Sequence, residues 1–485
     1  MSLIVNTNMS SLTAQRSIAS SDHALETAME RLSSGKRINS ASDDAAGLAI
    51  VERMTAQIKG LNMAVKNAND GIAMTQSIEG ALVEVTDMLQ RIRELAVQSA
   101  NDTNTGIDRG YLQEEIVLLQ AELSRVASNT RYNGQLVLDG NYTTKKLHVG
   151  TEGGESISLS IDSVAANALG AYTKGTTGIA ALTAANAAVA NDRAGGTLTV
   201  MGGGAAESIT VAAASSAKVV ASQVNAKTGT TGVTASAKTY VLIDFAATGS
   251  YTFKLNGTSI GTFSASTTSV SDAVAKINAV SGTTGVVASA NTAGTAVMLY
   301  DSDGDDITLE NTSTTASNDI NATAYAHDGT TVIAGTETLT DATTGTAEFT
   351  RIIGNIALSS SSVFSVVDSA SDFFTTGAAS LSSVSNVSVS TQAGANSAIA
   401  VVDGAIEKVS SMRAKLGAIE NRLEHTVSNL MNIAENTQDS RSRILDADFS
   451  VESANLAKAQ VLQQVGAAML TQANARPQLV LQLLQ

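Results

Sequence analysis

The first part of the chain carries apolar residues at helical spacing. One run steps by four and three residues without a break: Ile78, Leu82, Val85, Leu89, Ile92 and Ala96. A second run steps the same way: Leu112, Ile116, Leu119, Leu123 and Val126. Such spacing places each run on one face of a helix. Because the polar stretch 101–106 separates the runs, the pattern predicts two helices joined by a loop.

A third run lies near the other end of the chain, with Thr426 as its one polar step: Val409, Met412, Leu416, Ile419, Leu423, Leu430 and Ile433. A helix with one apolar face needs a partner to cover that face. We therefore expect the third helix to pack against the first two. The shared core is expected at Leu82, Val85, Leu89, Ile92, Leu416, Ile419 and Leu423.

Weaker apolar stripes predict one further helix at each end of the chain. Their members are Val5, Met9, Leu12, Leu25, Met29 and Leu32 at one end, and Val461, Val465 and Ala468 at the other. Polar residues dilute both stripes, and an isolated helix with so little apolar area is marginal in water. We expect both helices to be poorly ordered until covered. We expect the apolar run 479–484 to be buried against another subunit, with a frayed tail as the alternative.

The segment 33–44 has the residues of a helix end followed by a helix start. Gly35 is suited to the left-handed conformation that ends a helix. Ser42 is the expected cap of the next helix, with Asp43 and Asp44 in its first turn.

The middle of the chain changes to the alternating pattern of strands. Alternation at 147–149 and 157–161 predicts strands, and Asn133-Gly134 predicts a hairpin-type turn. Further on, alternation from Tyr251 leads into a second Asn-Gly turn at Asn256, followed by a returning strand.

This β-rich zone contains an internal repeat. Residues 224–237, VNAKTGTTGVTASA, recur as residues 277–290, INAVSGTTGVVASA. Each copy is predicted to form a β-hairpin, a short helix and a strand. Two copies indicate duplication of a small α+β module, since a solenoid needs at least three repeats.

Composition narrows the range of functions. The chain of 485 residues is 43% hydrophobic but 3% aromatic, with no Trp and no Cys. Large aromatic pockets, disulfides and thiolate chemistry are therefore not expected. A formal charge of -15 argues against nucleic acid as a partner, because phosphate binding needs clustered Lys and Arg. No apolar run approaches the ~20 residues of a membrane span, and residues 1–8 lack the features of a Sec-type signal peptide.

Candidate catalytic and metal sites are weak. The four histidines stand far apart in sequence, and no phosphate-binding Gly loop is present. The segment 301–306, DSDGDD, with Glu310 superficially resembles a calcium loop. Its Gly is fourth and its Glu tenth, whereas an EF-hand has them sixth and twelfth. We expect a solvated turn between strands, with a weak cation site as the alternative, and we expect no cofactor and no catalysis.

Long motifs at both ends resemble those of bacterial flagellins. The N-terminal ones are 32–50, LSSGKRINSASDDAAGLAI, and 89–101, LQRIRELAVQSAN. The C-terminal ones are 416–423, LGAIENRL, then 440–449, SRSRILDADF, and 477–481, PQLVL. The resemblance covers about 1–165 and 391–485. It implies a structural subunit that polymerises into the flagellar filament.

The resemblance also implies a domain plan in an α+β fold, with long antiparallel, coiled-coil-like helices from both chain termini and a β-rich central insert. Residues 1–45 and 445–485 would pair as the filament inner core. Residues 46–165 and 391–444 would form the helical rod with its β-hairpin. Residues 166–390 would project outward as a variable domain, with the repeat at about 217–300.

Partners follow from the same resemblance. The chain would bind copies of itself in a helical homopolymer, and also an export chaperone, the filament cap and the hook–filament junction proteins. Export through the flagellar type III apparatus would place it outside the cell. We expect neither nucleic acid nor a membrane as a partner.

A host receptor is a further partner by resemblance. Flagellins detected by a toll-like receptor present an Arg and a Leu on the first rod helix and a Glu on the second, which match Arg91, Leu95 and Glu115 here. All three are expected beside the apolar seam. The alternative is that Leu95 widens the core and the two charges are solvated.

Two other functions stay open at the level of sequence. A hook–filament junction protein shares the terminal architecture, and a filamentous adhesin or an enzyme carried by 166–390 is the second alternative.

Overall fold

The structure is a computed structural model that describes residues 7–101, 103–176, 191, 193–291, 293–314, 318–333, 336–341, 347–369 and 373–483, with residues 476–483 described by their backbone. The predictions made for Val5 and for the side chains of the apolar run 479–484 lie outside the described residues. The chain divides into two compact units. Unit 1 comprises 1–75, 144–159 and 418–485, and unit 2 comprises 76–143 and 160–417.

Nine α-helices lie in the described residues: α1 (Met9–Ser34), α2 (Ala45–Ser99), α3 (Gly106–Asn129), α4 (Ala217–Asn225), α5 (Thr228–Thr231), α6 (Ser271–Ala279), α7 (Ser281–Thr284), α8 (Gln392–Leu445) and α9 (Phe449–Leu483). A short 3-10 helix spans Val384–Asn386. The long helices come from the chain ends, which confirms the predicted helical termini.

The described strands are β1 (Arg131–Tyr132), β2 (Gln135–Leu136), β3 (Lys145–His148), β4 (Ser156–Leu159), β5 (Gly170–Gly175), β6 (Gly196–Gly202), β7 (Ala205–Val211), β8 (Thr234–Phe245), β9 (Gly249–Tyr251), β10 (Phe253–Leu255) and β11 (Thr258–Ser259). They continue as β12 (Phe263–Ala265), β13 (Val286–Ala290), β14 (Ala296–Asp301), β15 (Ile307–Asn311), β16 (Ile320–Tyr325), β17 (Glu337–Leu339), β18 (Glu348–Ile352), β19 (Asn355–Ser360), β20 (Ser365–Ser369), β21 (Gly377–Ala378) and β22 (Ser380–Ser383). The β-rich centre confirms the predicted α+β class.

The ends of the first helices follow from local hydrogen bonding. Helix α1 ends at Gly35, which has φ 70° in the left-handed region, as predicted. The predicted cap at Ser42 is wrong. Helix α2 begins at Ala45, and Oδ1 of Asp44 accepts a hydrogen bond from the Gly47 N–H at 2.8 Å. Asp and Ser are comparable caps, and here the carboxylate adjoining the helix satisfies one of its free N–H groups.

Asp43 stabilises the loop before α2. Its Oδ2 accepts hydrogen bonds from the backbone N–H groups of Ser40, at 2.9 Å, and Asn39, at 3.1 Å. The bond from Ser40 and then the bond from Asn39 hold the pKa of this carboxyl below its usual range. The two aspartates of the segment therefore have different roles, one in the loop and one at the helix start.

In unit 1, α1 packs against α9, and the part of α2 up to residue 75 packs against the later part of α8. Leu61 and Ala64 of α2 form a cluster with Leu430 of α8. Ala68 and Leu423 form a second cluster with Ile157 of β4. As the residue number rises along α2 it falls along α8, so the two helices are antiparallel. The β3–β4 hairpin therefore lies against this helix pair.

In unit 2, an eight-stranded sheet has the order β13-β14-β8-β19-β5-β22, with β16 paired to both β8 and β17. Two four-stranded sheets have the orders β11-β10-β15-β18 and β21-β20-β6-β7. The predicted Asn-Gly turns are both present, with φ 48° at Asn133 and φ 50° at Asn256. Positive φ at both central residues suits the right-handed twist of a hairpin.

The two copies of the repeat share one hydrogen-bonding device. Asn225, at the end of α4, donates to the carbonyl of Ala235 at 2.8 Å and accepts from its N–H at 2.7 Å. Asn278, at the end of α6, bonds Ala288 in the same way, at 2.9 and 2.8 Å. Each asparagine thus ties its helix to the strand that follows.

Candidate assembly surface

Helices α1 and α9 lie antiparallel, and polar contacts fix their register. Asn8 Nδ2 donates to the carbonyl of Ala473 at 2.9 Å, and Gln463 Nε2 donates to Asp22 Oδ1 at 2.7 Å. A Cβ added at Gly466 would lie 2.8 Å from Cγ1 of Ile18. The absence of a side chain at Gly466 therefore permits the close approach of the two helices.

Little apolar surface is buried between these helices. Among the side chains described in α1 and α9, the buried apolar ones are those of Ala28 and Ala459. Larger apolar side chains stay between 45 and 70% exposed: Met9, Leu12, Met29, Phe449, Val451, Val461, Leu462, Val465 and Met469. We call these nine side chains the terminal apolar surface. So many large apolar side chains exposed on one helix pair favour a surface that another molecule covers.

Open grooves run along the same helix pair. One, of about 510 Å³, has Ala14, Leu462, Val465 and Met469 among its lining residues. Another, of about 770 Å³, has Ala28, Ala459 and Leu462 among its lining residues, together with polar ones. A groove with small and apolar residues along a helix pair can accept the apolar stripe of another helix.

The residues predicted to form the rod core are buried, with one exception. In unit 2, Leu82, Val85, Leu89 and Ile92 are 0% exposed and Leu416 is 4% exposed. In unit 1, Leu423 is 0% exposed, while Ile419 is half-buried against the cluster that contains Leu423. Apolar residues thus fill the predicted faces of α2 and α8 within each unit.

Two ion pairs join α2 to α8 in unit 2, and sequence reasoning missed both. Arg93 Nε donates to Asp403 Oδ1 at 2.6 Å, and Arg413 donates to Glu79 Oε1 at 2.7 Å. The hydrogen bond to each carboxylate is the first cause that raises the pKa of each arginine. Charged residues that flank an apolar stripe commonly form ion pairs between packed helices. The charged residues beside the stripes of α2 and α8 could therefore have been used to predict these pairs.

The three residues matched to receptor recognition lie in different environments. Arg91 Nε donates to Glu115 Oε1 at 2.8 Å, and the two side chains are 49 and 43% exposed. The hydrogen bond to Glu115, and a second one to Glu94, raise the pKa of Arg91. The prediction that Leu95 lies beside the seam is wrong, because Leu95 is 1% exposed. Its position between Ile92 and Ala96 brings it onto the widened buried face of α2.

The acidic segment 301–306 forms the turn between β14 and β15. Oδ1 of Asp301 accepts the backbone N–H groups of Asp303, Gly304 and Asp305. Lys218 pairs with both Asp303, at 3.1 Å, and Asp305, at 2.8 Å.

The prediction of a solvated turn is wrong for the first and last carboxylates of this segment. Asp301 is 4% exposed, and the Asp306 side chain, which pairs with Arg351 at 3.1 Å, is 9% exposed. Backbone N–H groups therefore bind Oδ1 of Asp301, and the side chains of Arg351 and Asn191 donate to Oδ2 of Asp306. In the part of the chain that the structure describes, no group of three His, Cys, Asp or Glu is placed to hold a metal ion. None of the helices described there has the length and apolarity needed to cross a membrane.

Three family models match segments of the chain. Residues 5–143 match the bacterial flagellin N-terminal helical region, and residues 399–484 match the C-terminal helical region. Residues 197–245 and 252–298 match the flagellin hook IN motif.

Curated relatives align over the whole chain. B-type flagellin of Pseudomonas aeruginosa is 40% identical over 494 residues, covering 100% of both chains. Flagellin A of Vibrio cholerae is 34% identical over 486 residues, again covering 100% of both.

Among solved structures, FliC from Burkholderia pseudomallei aligns with 73% of this chain and 99% of its own, at 18% identity and a TM-score of 0.30. Flagellar hook associated protein-3 from Legionella pneumophila aligns with 81% of this chain and 99% of its own, at 14% identity and a TM-score of 0.37.

Proposed function

This chain belongs to the bacterial flagellins, the structural subunits of the flagellar filament, and we propose that α1 and α9 line the inside of that filament. The terminal apolar surface carries this proposal. Full burial of a Val, Leu, Met or Phe side chain stabilises a structure by about 1.5–3 kcal/mol. Neighbouring copies that cover nine such side chains supply a strong drive for assembly.

Each copy offers its own α1–α9 pair to the next copy by a head-to-tail contact. When such a contact both rotates each copy relative to the last and shifts it along the axis, the copies do not close into a ring. They build a helical polymer instead. The domain plan stated from the sequence belongs to the same proposal, with 46–165 and 391–444 as the rod and 166–390 outside it. The role is structural, without catalysis.

Other partners follow from membership of the family. The chain leaves the cell through the flagellar type III apparatus, bound beforehand by an export chaperone, and adds to the filament beneath its cap. The first copies contact the hook–filament junction proteins. The curated relatives named above are flagellins, which favours a filament subunit over a junction protein or an adhesin.

Recognition by a host toll-like receptor is a further part of the proposal. Arg91 and Glu115 form an exposed ion pair, so they are available on the surface of a single copy. Leu95 supports this surface from beneath, because it is buried in the same helix one turn from Arg91. Receptor activation is therefore expected of the monomer, before neighbouring copies cover the rod.

Truncation tests the assignment of α1 and α9. Removal of 1–30 or of 455–485 should leave a folded monomer, because α2, α3 and α8 keep their own buried faces. Neither truncated protein should polymerise when electron microscopy is used to look for filaments. Filaments of normal diameter from either truncated protein would contradict the proposal.

A further inference from the structure

A cavity of about 520 Å³ lies on one face of the eight-stranded sheet in unit 2. Its floor consists of residues of the neighbouring strands β8, β19, β5 and β22. The first turns of α8 and the segment 326–328 after β16 form its walls. The volume lies within the range of about 300–1,000 Å³ that is typical of ligand sites.

Lys238 of β8 supplies a cation to this cavity. Its ammonium has no ion pair or hydrogen bond to any residue that the structure describes. Burial alone lowers the pKa of Lys238. A half-buried ammonium without an acceptor gains from an anion that enters the cavity.

The other titratable groups around Lys238 are already engaged. His327 Nε2 lies 2.8 Å from Ser236 Oγ, and burial followed by the charge of Lys238 lowers the pKa of His327 to about 4. Although burial acts to raise it, hydrogen bonds from Thr331 and Thr330 hold the pKa of Asp328 below its usual range. At neutral pH His327 is therefore uncharged, and the Asp328 carboxylate is occupied by its own loop.

The remaining lining includes both hydroxyl and methyl groups. The hydroxyl-bearing residues include Thr173, Thr176, Ser359, Ser382 and Ser397, and the methyl-bearing ones include Ala357, Ala393 and Ala400. Tyr240 adds an aromatic wall, held in a stack with Tyr300 at a centroid distance of 4.7 Å. The Thr173 and Ser382 hydroxyls lie 2.8 Å apart, and Thr176 donates to Asn355, so these oxygens offer their remaining lone pairs as acceptors. Sugars present a matching surface, since their hydroxyls can donate to such oxygens and their C–H faces pack on apolar groups.

We propose that this cavity binds a carboxylated sugar, with its carboxylate on the Lys238 ammonium and its hydroxyls on the serine and threonine side chains. The ring packs on the alanines of the floor and of α8. Binding of this kind would let the chain attach to acidic polysaccharides, which is separate from polymerisation.

Calorimetric titration of the full-length monomer tests the proposal, with trigalacturonate as the acidic probe and maltotriose as the neutral one. Saturable binding of trigalacturonate, at least tenfold tighter than maltotriose, is expected. Lys238→Met should weaken that binding at least tenfold. Lys276→Met is the matched control, because Lys276 is exposed on α6 away from the cavity, and it should leave binding unchanged.

A second variant tests the cavity itself. Ala400 is exposed on α8 and lines the cavity, so Ala400→Phe fills space without disturbing a core, and it should abolish binding. Circular dichroism melts check that each variant folds. The proposal is overturned by absent binding of trigalacturonate, by equal binding of maltotriose, or by binding that survives both Lys238→Met and Ala400→Phe.

Discussion

Arg31 of α1 donates a hydrogen bond from Nη1 to Oε1 of Glu452 in α9 at 3.2 Å, across 421 residues of sequence. The Glu452 side chain is 9% exposed and the Arg31 side chain 28% exposed. The cost of desolvation offsets the attraction within such a partly buried pair, and we infer that its role is to fix the register of the two helices. Polar contacts thus set how α1 and α9 meet, whereas the terminal apolar surface stays open for a neighbouring copy.

The buried face of α2 predicts a large stability loss on truncation of a core side chain. Leu89→Ala should lower the free energy of unfolding by ~2–5 kcal/mol, because Leu89 is 0% exposed and its removal leaves a cavity. Leu118→Ala is the matched control in the same unit, since Leu118 is 70% exposed, and it should change the value by less than ~0.5 kcal/mol. Denaturant melts of the monomer measure both, and equal losses would contradict the assigned core.

The long helices could be predicted from sequence because their apolar residues repeat without a break, as in the run from Ile78 to Ala96. The end of α1 could likewise be predicted, because Gly35 readily adopts the left-handed conformation that ends a helix. The start of α2 was not, because Ser42, Asp43 and Asp44 are all competent caps and tertiary geometry selects Asp44.

The environments of single side chains were harder to predict. Leu95 was placed at the edge of the seam, but the buried face of α2 is wider than a strict heptad stripe and includes it. The pairing of β5 with β22 and with β19 joins segments distant in sequence, which periodicity cannot reveal. The cavity beside Lys238 depends on that pairing and was missed for the same reason.

The central insert, 166–390, should be removable at the place where β5 and β22 pair. Thr173 of β5 lies opposite Ser380 of β22 in antiparallel register. Replacing 174–379 with a two-residue Asn-Gly turn should therefore give thinner filaments that still support motility. Electron microscopy and swimming assays measure the result.

The joint has its own control. A second version keeps Lys174, so that the Asn-Gly turn connects Lys174 to Ser380. Pairing of Lys174 with Ser380 shifts the register of β5 and β22 by one residue. This version should assemble less well, because such a slip exchanges the two faces of a strand. Normal export without filaments from the in-register joint would show that the insert makes essential contacts.

Receptor recognition should depend on the exposed ion pair of the rod. The double change Arg91→Ala and Glu115→Ala should reduce receptor activation by purified monomer at least tenfold in a cell reporter assay, because it removes both charges from the proposed contact. Arg125→Ala with Glu122→Ala is the matched control, since it removes another exposed Arg–Glu pair, 59 and 43% exposed. Full activity of the first double variant, in a protein that still folds, would exclude this surface.

Polymerisation of a point variant tests the central claim most directly. Val465 in α9 is 53% exposed, and Val219 in α4 is 46% exposed. The same change to Asp at each position places a charge on an exposed valine, and neither should unfold the monomer. Light scattering and electron microscopy of concentrated protein should show that Val465→Asp fails to form filaments, because a buried unpaired carboxylate is costly, while Val219→Asp polymerises normally. Normal filaments from Val465→Asp would contradict the assignment of α1 and α9 to the interior of the filament.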